Sequence, residues 1–173
     1  RTGPVALAHL GDPGTIVKAA QRVSALTHAD PRAGEACALW CLAIDHAVRT
    51  GELDDASVCR VDADFWSPLL DEAESVEPSH YGHSNGWVVA ALLAAWSAIS
   101  RTDGLVAGLH AAVAGGGDTD TVAAIAGQLL GARYGASAVP ARHRRRLHGW
   151  PGMRVRDLHR LALLTVNDGA DGP

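Results

Sequence analysis

The stretch with the clearest chemical potential is residues 115–121, Gly-Gly-Gly-Asp-Thr-Asp-Thr. Its three glycines favour a tight turn at which a ligand can come close to the main chain. Asp118, Asp120 and Thr121 stand at spacings of two and three, so their side chains can converge at the start of the helix predicted to follow. Carboxylate and hydroxyl oxygens suit Mg²⁺, Mn²⁺ or Ca²⁺ and not zinc. The stretch therefore predicts a site for a hard divalent cation.

The same residue types also have a purely structural interpretation. Asp and Thr are ordinary helix N-caps, and acidic groups are favoured in the first turn of a helix. One cap needs only one such side chain, whereas residues 118–121 supply four in a row. From residue types alone, a metal site and a helix with surplus capping groups both remain open.

The helix predicted after the motif carries a stripe of small residues. Ala123, Gly127, Gly131 and Gly135 recur every four residues. Each glycine inside a helix costs about 1 kcal/mol relative to alanine. We therefore expect a neighbouring helix to pack very closely along this stripe and to hold the motif rigidly.

Histidine and cysteine side chains offer weaker signals. His28 stands near a predicted helix end, where a lone histidine is usually a capping or packing residue, although Asp30 could orient its ring by accepting its N–H. Cys37 and Cys41 lie one helical turn apart without a second cysteine pair, which favours small buried thiols over a metal site. His80 and His83 together lack a third ligand for a transition metal.

Two charged regions are better explained as solvated surface. The acidic residues between 62 and 77 show no spacing that forces a catalytic pair, and such runs are typical of exposed helix faces. The arginine cluster at residues 142–146 could bind phosphate, but on a short surface helix it is more often solvated. Neither region predicts a catalytic site.

The hydrophobic pattern predicts helices throughout. We expect helices over residues 3–10, from 13 to about 24, from 31 or 32 to 50, and over 86–100, 105–114, the stretch after 118, and 154–165. No segment shows sustained period-two alternation. The sequence therefore predicts an all-α bundle of helices joined by short glycine and proline turns.

Bulk composition narrows the class of protein. The 173 residues fit one globular domain, with 47% hydrophobic and 20% charged residues. A formal charge of −4 argues against a general nucleic-acid binder. Three cysteines do not form a disulfide framework, which favours a reducing cytoplasm. The longest apolar run, 86–99, is too short to span a bilayer, so we expect no membrane partner.

The motif resembles that of a known family. Gly-Gly-Asp-Thr-Asp-Thr-Val-Ala-Ala-Ile-Ala-Gly, ending in Gly-Ala-Arg-Tyr-Gly, is similar to the C-terminal metal motif of the ADP-ribosylglycohydrolases, and residues 1–8 and 24–31 agree. This family includes dinitrogenase-reductase-activating glycohydrolases and ADP-ribosyl-acceptor hydrolases. The resemblance runs from residue 1 to about 164. It implies an orthogonal multi-helix bundle over residues 1–166, followed by a tail, 167–173, expected to be disordered.

The resemblance also implies an activity. The family hydrolyses the glycosidic bond at the distal ribose C1 of ADP-ribose, freeing it from a protein side chain or a small compound. Two Mg²⁺ or Mn²⁺ ions sit side by side in its site. On this sequence the implied C-terminal metal ligands are Asp118, Asp120 and Thr121, with Asp120 placed to bridge both ions. The implied substrate contacts are His28, Tyr81 and Gly117.

Two parts of the family's pattern are absent from the sequence. It contains no Thr-Asp-Asp triplet, which forms the other half of the family's metal site, and no Gly/Asn loop for the substrate's diphosphate. We therefore expect the remaining ligands and the acid/base carboxylate to lie in an N-terminal part that this sequence lacks. The alternative is a catalytically inactive helical fragment, or a subunit that binds metal or ADP-ribose weakly and needs an N-terminal partner.

Overall fold

The fold is built almost entirely from helices, as the sequence predicts. The computed structural model describes residues 2–53 and 61–170, with side chains described as far as residue 167. Its α-helices are α1 Gly3–Ala8, α2 Pro13–Ala25, α3 Pro31–Thr50, α4 Ala63–Ser75, α5 Val88–Ser100, α6 Leu105–Ala114, α7 Thr119–Tyr134, α8 Ala141–Arg146 and α9 Val155–Ala170. Short 3-10 turns cover Pro78–Tyr81 and Ala136–Ala138.

Local chemistry explains where the early helices begin and end. Carboxylates at the N-cap accept backbone N–H bonds at three helix starts: Asp12 for α2, Asp30 for α3 and Asp62 for α4. Proline occupies the first turn of α2 and of α3, where its fixed φ fits and its missing N–H does no harm. Gly51 ends α3 with a φ of 76°, a left-handed conformation that favours glycine.

Arg32 ties the start of α3 to α4. Its Nη1 donates to Asp62 Oδ2 at 2.8 Å and to the carboxylate of Glu35 on its own helix. Its guanidinium also stacks over the Phe65 ring, 3.8 Å from the ring centroid. Trp66 Nε1 donates to Glu35 at 3.1 Å, which connects the two helices a second time.

Helix α5 is the centre of the bundle. All of its residues from 89 to 99 are buried, and it packs against α3, α4, α6 and α7. The indole rings of Trp40 on α3 and Trp96 on α5 meet edge to face, with centroids 6.5 Å apart. This confirms the prediction that residues 86–100 form a buried helix. Within residues 2–53 and 61–170, no helix combines the length and the apolar character needed to cross a bilayer.

The C-terminal part departs from the prediction in two details. Strands β1 (His148–Gly149) and β2 (Met153–Arg154) pair antiparallel, a two-residue ladder too short to show as alternation in the sequence. Helix α9 packs on α1 and runs to Ala170, so described helix continues four residues into the predicted disordered tail 167–173. Residues 171–173, the remainder of that tail, lie outside the described part of the chain, as does Arg1.

The prediction of a tightly packed helix along the small-residue stripe holds at Gly127 and is wrong at Gly131. A Cβ added at Gly127 would lie 3.3 Å from the Leu109 side chain of α6, a tight contact, whereas one added at Gly131 would have nothing within 4 Å. Gly135 lies beyond the end of α7. Helix α7 instead buries a different face, consisting of Val122, Ala126, Leu129 and Leu130. The stripe at Gly131 faces open space because no described helix covers it.

Candidate metal and substrate site

The glycine loop before α7 has a backbone that other residues would adopt only with strain. Gly116 and Gly117 have φ angles of 78° and 67°, in the left-handed region. A Cβ at Gly117 would also collide with the carbonyl oxygen of Gly82 and with Asn85 Oδ1. The loop therefore lies flat against the segment before α5. This close approach supports the prediction that the glycines serve a tight turn.

Asn85 holds this loop in place, and sequence reasoning missed it. Its Nδ2 donates to the carbonyl oxygen of Gly116 at 2.9 Å, and its Oδ1 accepts from the backbone N–H of Asp118 at 2.9 Å. The side chain is only 4% exposed. In the sequence Asn85 stands in a Ser-Asn-Gly stretch, where asparagine is also an ordinary turn residue. Nothing local marks it as a bridge to a loop more than thirty residues away.

The three predicted metal ligands converge at the start of α7. Asp118 is half-buried at the N-cap position, while Asp120 and Thr121 are exposed in the first turn. The Thr121 hydroxyl, and next the Asp120 carboxyl, hold the pKa of Asp118 below its usual range by hydrogen bonding. A smaller contribution comes from the backbone N–H of Thr121. The Asp118 carboxylate thus lies close to one hydroxyl, one carboxyl and one backbone N–H of the first turn.

These residues fit part of the shell of a hard cation. They offer two carboxylates and one hydroxyl, all of them oxygen donors that suit Mg²⁺ or Mn²⁺. Mg²⁺ prefers six oxygen ligands in octahedral geometry, so three remain to be supplied by water or by other groups. Across residues 2–53 and 61–170, no cluster of three or more His, Cys, Asp or Glu side chains could hold a metal. Asp118, Asp120 and Thr121 alone therefore fall short of a complete octahedral shell.

The donor cluster lies at one end of an apolar cleft. Thr121 borders a cavity of about 170 Å³, together with residues of α3, α5 and the chain before α1. Trp40 closes one wall, and its Nε1 donates to the carbonyl oxygen of Ile125 on α7 at 3.1 Å. Gln128 lies one turn further along α7 and also lines this cavity. The oxygen donors are thus next to apolar surface, not surrounded by further polar groups.

His28 lies at a different cavity. It is exposed after the end of α2, and with Asp30, Glu35 and Gln21 it lines a polar cavity of about 250 Å³. The Thr27 hydroxyl is 2.8 Å from His28 Nδ1, and the Asp30 carboxylate accepts from the backbone N–H of Arg32. This cavity shares no lining residue with the Thr121 cleft.

Tyr81 is buried beside α5. It is 7% exposed, and its ring lies edge-on to His80 with centroids 5.0 Å apart. Among the described residues its hydroxyl has no hydrogen-bond partner. Burial, followed by the charge of Glu72, raises the pKa of the Tyr81 hydroxyl. Only a small part of this side chain is available to a ligand.

The two described cysteines agree with the interpretation as small thiols. Cys37 is half-buried and lines the Thr121 cleft, whereas Cys41 is buried with its thiol 3.3 Å from the carbonyl oxygen of Thr2. Burial raises the pKa of the Cys41 thiol to about 12. A thiol with that pKa is almost entirely protonated at neutral pH and is therefore a poor nucleophile.

Comparisons with known proteins agree with this fold. The family model described as ADP-ribosylglycohydrolase matches residues 1–171. No curated protein matches the chain significantly. One similar solved structure is described as an ADP-ribosylglycohydrolase-related protein complex, with 28% sequence identity and a TM-score of 0.77. The match covers 95% of this chain and 57% of that one, so this chain spans little more than half of its length. The chain belongs to the ADP-ribosylglycohydrolase family.

Proposed function

We propose that this chain forms part of a metal-dependent hydrolase that cleaves the glycosidic bond between ADP-ribose and an acceptor, either a protein side chain or a small ADP-ribosylated compound. The observation that carries the proposal is the convergence of Asp118, Asp120 and Thr121 beside a glycine loop in a chain of this family. The absence of a disulfide between Cys37 and Cys41 is consistent with action in the cytoplasm.

Two Mg²⁺ or Mn²⁺ ions, when bound, would orient the ribose diol, activate a water and stabilise developing charge. Asp118, Asp120 and Thr121 would each provide an oxygen ligand to these ions. The lowered pKa of Asp118 keeps its carboxylate ionised at neutral pH, as a ligand must be. Asn85 fixes the backbone from which Asp118 projects.

Three further residues would contact the substrate. Gly117 is exposed in the loop, so the substrate would meet the face of its main chain opposite Gly82 and Asn85. His28 would contact the ribose or the diphosphate from its polar cavity. Tyr81 would reach the adenosine end only through its small exposed edge. The acid/base carboxylate and the other metal ligands would come from polypeptide outside this sequence.

The experiment measures metal binding and turnover separately. Free Mn²⁺ is followed by electron paramagnetic resonance, and the release of ADP-ribose from ADP-ribosyl-arginine and ADP-ribosyl-serine peptides by chromatography. We expect weak Mn²⁺ binding that Asp120→Ala abolishes and that Asp103→Ala, at an exposed aspartate outside the motif, leaves unchanged. Submicromolar binding retained in Asp120→Ala would refute the ligand assignment.

Turnover is expected only in a completed site. A site that lacks half of its metal ligands loses several kcal/mol of transition-state stabilisation by the metals, which corresponds to a turnover rate lower by roughly several hundredfold. The chain alone should therefore show no measurable release. The N-terminal part of a relative, added separately, should restore some activity when Asp118 and Asp120 are intact. Robust turnover by the chain alone would show that the catalytic groups are already present.

A second candidate is a helical subunit with no hydrolytic role of its own. It is favoured by the shortage of ligands: no larger acidic, histidine or cysteine cluster occurs in the described ranges. In that case this chain and the N-terminal part of the relative would associate, and the mixture would be as active with the Asp118→Ala, Asp120→Ala double variant as with the original chain. The same reconstitution therefore separates the two functions.

A further inference from the structure

An open apolar groove runs between α1, α3 and α7. It encloses about 370 Å³ and is lined mainly by apolar groups, including Leu7, Ile44 and Val48. Val48, in the last turn of α3, is 39% exposed. Gly131 forms a notch in the floor, since a Cβ there would have nothing within 4 Å. We call this feature the α1–α3–α7 groove.

A second apolar surface adjoins the groove along α1. Helix α1 lines the groove and also packs against α9. Leu158, Leu161 and Leu164 recur every three residues on α9 and remain 54%, 49% and 44% exposed. We call these three residues the α9 leucine face. No described residue of α9 is fully buried: Val155, Ala162 and Val166 are half-buried, and the α9 leucine face is uncovered.

The surroundings of the leucine face are strongly basic. Residues 141–166 contain seven arginines and a single acidic residue, Asp157. Arg156 and Arg160 stand one turn apart on α9, and Leu164 follows Arg160 by one turn. A symmetric pairing of two copies through α9 would bring these arginines together, and like charges repel. The surface is complementary to an apolar helix bordered by carboxylates.

We propose that the α1–α3–α7 groove and the α9 leucine face together bind a helical polypeptide of that kind, equivalent to the part of the similar ADP-ribosylglycohydrolase-related structure that this chain does not match. The match covers only 57% of that structure. Gln128 lines both the groove and the cleft of Thr121, so a helix in the groove passes close to the proposed metal ligands. The identity of the occupant rests on the proposed function, whereas the groove itself does not.

This occupant also explains the small-residue stripe on α7. Glycine at position 131 is unfavourable for the helix and no described residue packs against it. A large side chain of the bound helix would fill the notch that the missing Cβ leaves. At position 131 the close neighbour that the stripe predicted then belongs to the partner polypeptide, whereas at Gly127 it is Leu109 of this chain.

The experiment measures association directly. The unmatched part of the similar structure is produced as a separate polypeptide and titrated calorimetrically into residues 1–173 in the presence of EDTA. We expect Gly131→Leu, which fills the notch, and Leu158→Ser with Leu161→Ser, which removes the leucine face, each to weaken binding at least tenfold. Leu26→Ser is the matched control, because Leu26 is 80% exposed at the end of α2 and should not matter.

Two further variants address charge and mechanism. Arg156→Glu with Arg160→Glu should weaken binding and reduce its dependence on salt. Asp118→Ala with Asp120→Ala should leave association unchanged, because EDTA already removes the metal. Association that gives no hydrolysis once excess Mn²⁺ replaces EDTA would refute the proposed function alone, and hydrolysis without binding in the groove would refute this proposal alone. Circular dichroism checks that each variant keeps its helical content.

Several outcomes would overturn the proposal. These are a lack of binding by the original chain, or binding equally strong in Gly131→Leu. Light scattering that shows a dimer lost in the leucine-face variant would identify a second copy as the occupant. The chain could instead sediment with vesicles that contain phosphatidylglycerol. If the leucine-face variant and the Arg156→Glu, Arg160→Glu variant both lose this sedimentation, the occupant is a lipid surface.

Discussion

Asn85 provides the sharpest test of how the candidate site is held together. Its amide makes two hydrogen bonds that join the segment before α5 to the glycine loop, one to Gly116 and one to Asp118. Asn85→Ala removes both bonds at once and leaves a backbone donor and a backbone acceptor without partners. Because the side chain is almost fully buried, no other described group takes its place easily.

The magnitude follows from these two bonds. Each contributes about 0.5–1.5 kcal/mol net, and a buried group left unsatisfied costs about 1–3 kcal/mol. Gly116 and Asp118 are half-buried, so water can partly satisfy the groups left behind. We therefore expect Asn85→Ala to lower the free energy of unfolding by about 2–3 kcal/mol. Mn²⁺ binding must then also order the loop, and we expect an affinity at least roughly tenfold weaker, or about 1.4 kcal/mol.

Urea unfolding followed by circular dichroism gives the stability, and electron paramagnetic resonance of free Mn²⁺ gives the affinity. Asn167→Ala is the matched control, since Asn167 is the other asparagine of the chain and is exposed on α9. The control should change neither quantity. Equal unfolding midpoints and equal Mn²⁺ affinities for Asn85→Ala and the original chain would show that the loop holds its shape without the amide.

Three other outcomes are expected. In thermal melts of the isolated chain, Gly131→Ala should raise stability by up to about 1 kcal/mol, because no described atom lies near the added Cβ. Gly117→Ala should lower stability, because the φ of residue 117 is positive and the added Cβ would collide with Gly82 and Asn85. At pH 8, Cys41 should react with iodoacetamide far more slowly in the native chain than in urea, because a pKa of about 12 leaves roughly one thiolate in ten thousand; equal rates would contradict its burial. The Arg32 guanidinium lowers the pKa of Asp62 in the folded chain below its ordinary value of 3.8. The ion pair therefore stabilises the fold fully above pH 3.8, and this stabilisation is lost as the pH falls through the lower pKa of the folded state. When the free energy of unfolding is measured at decreasing pH, it should therefore decline less steeply for Asp62→Asn than for the original chain.

The helix starts were predictable because their causes are local. Asp12 before Pro13 and Asp30 before Pro31 each combine a capping carboxylate with a proline in the first turn, and the structure begins α2 and α3 there. The buried helix α5 was predictable for a similar reason, since its residues are apolar on every side. A single window of sequence contains all the information that these features need.

The candidate site was predictable only in part. Adjacent residues such as Asp118 and Thr121 converge through the geometry of one helical turn, which spacing reveals. Asn85 was not identifiable, because its partners are more than thirty residues away and depend on how α5, α6 and α7 pack. The stripe at Gly131 was misassigned because a glycine indicates that something can approach, not which polypeptide does so.

The core of this bundle has an unusual balance of side-chain sizes, and that balance affects which mutations it tolerates. Close to half of the buried apolar residues described are alanine, including a run through the middle of α5. Burying alanine sacrifices no rotamer freedom, and truncating it further removes little volume. Enlarging it forces neighbouring backbones apart, because they are spaced for a methyl group. Substitutions that add volume should therefore be selected against more strongly than those that remove it, and drift at these positions should be limited to glycine, serine and cysteine.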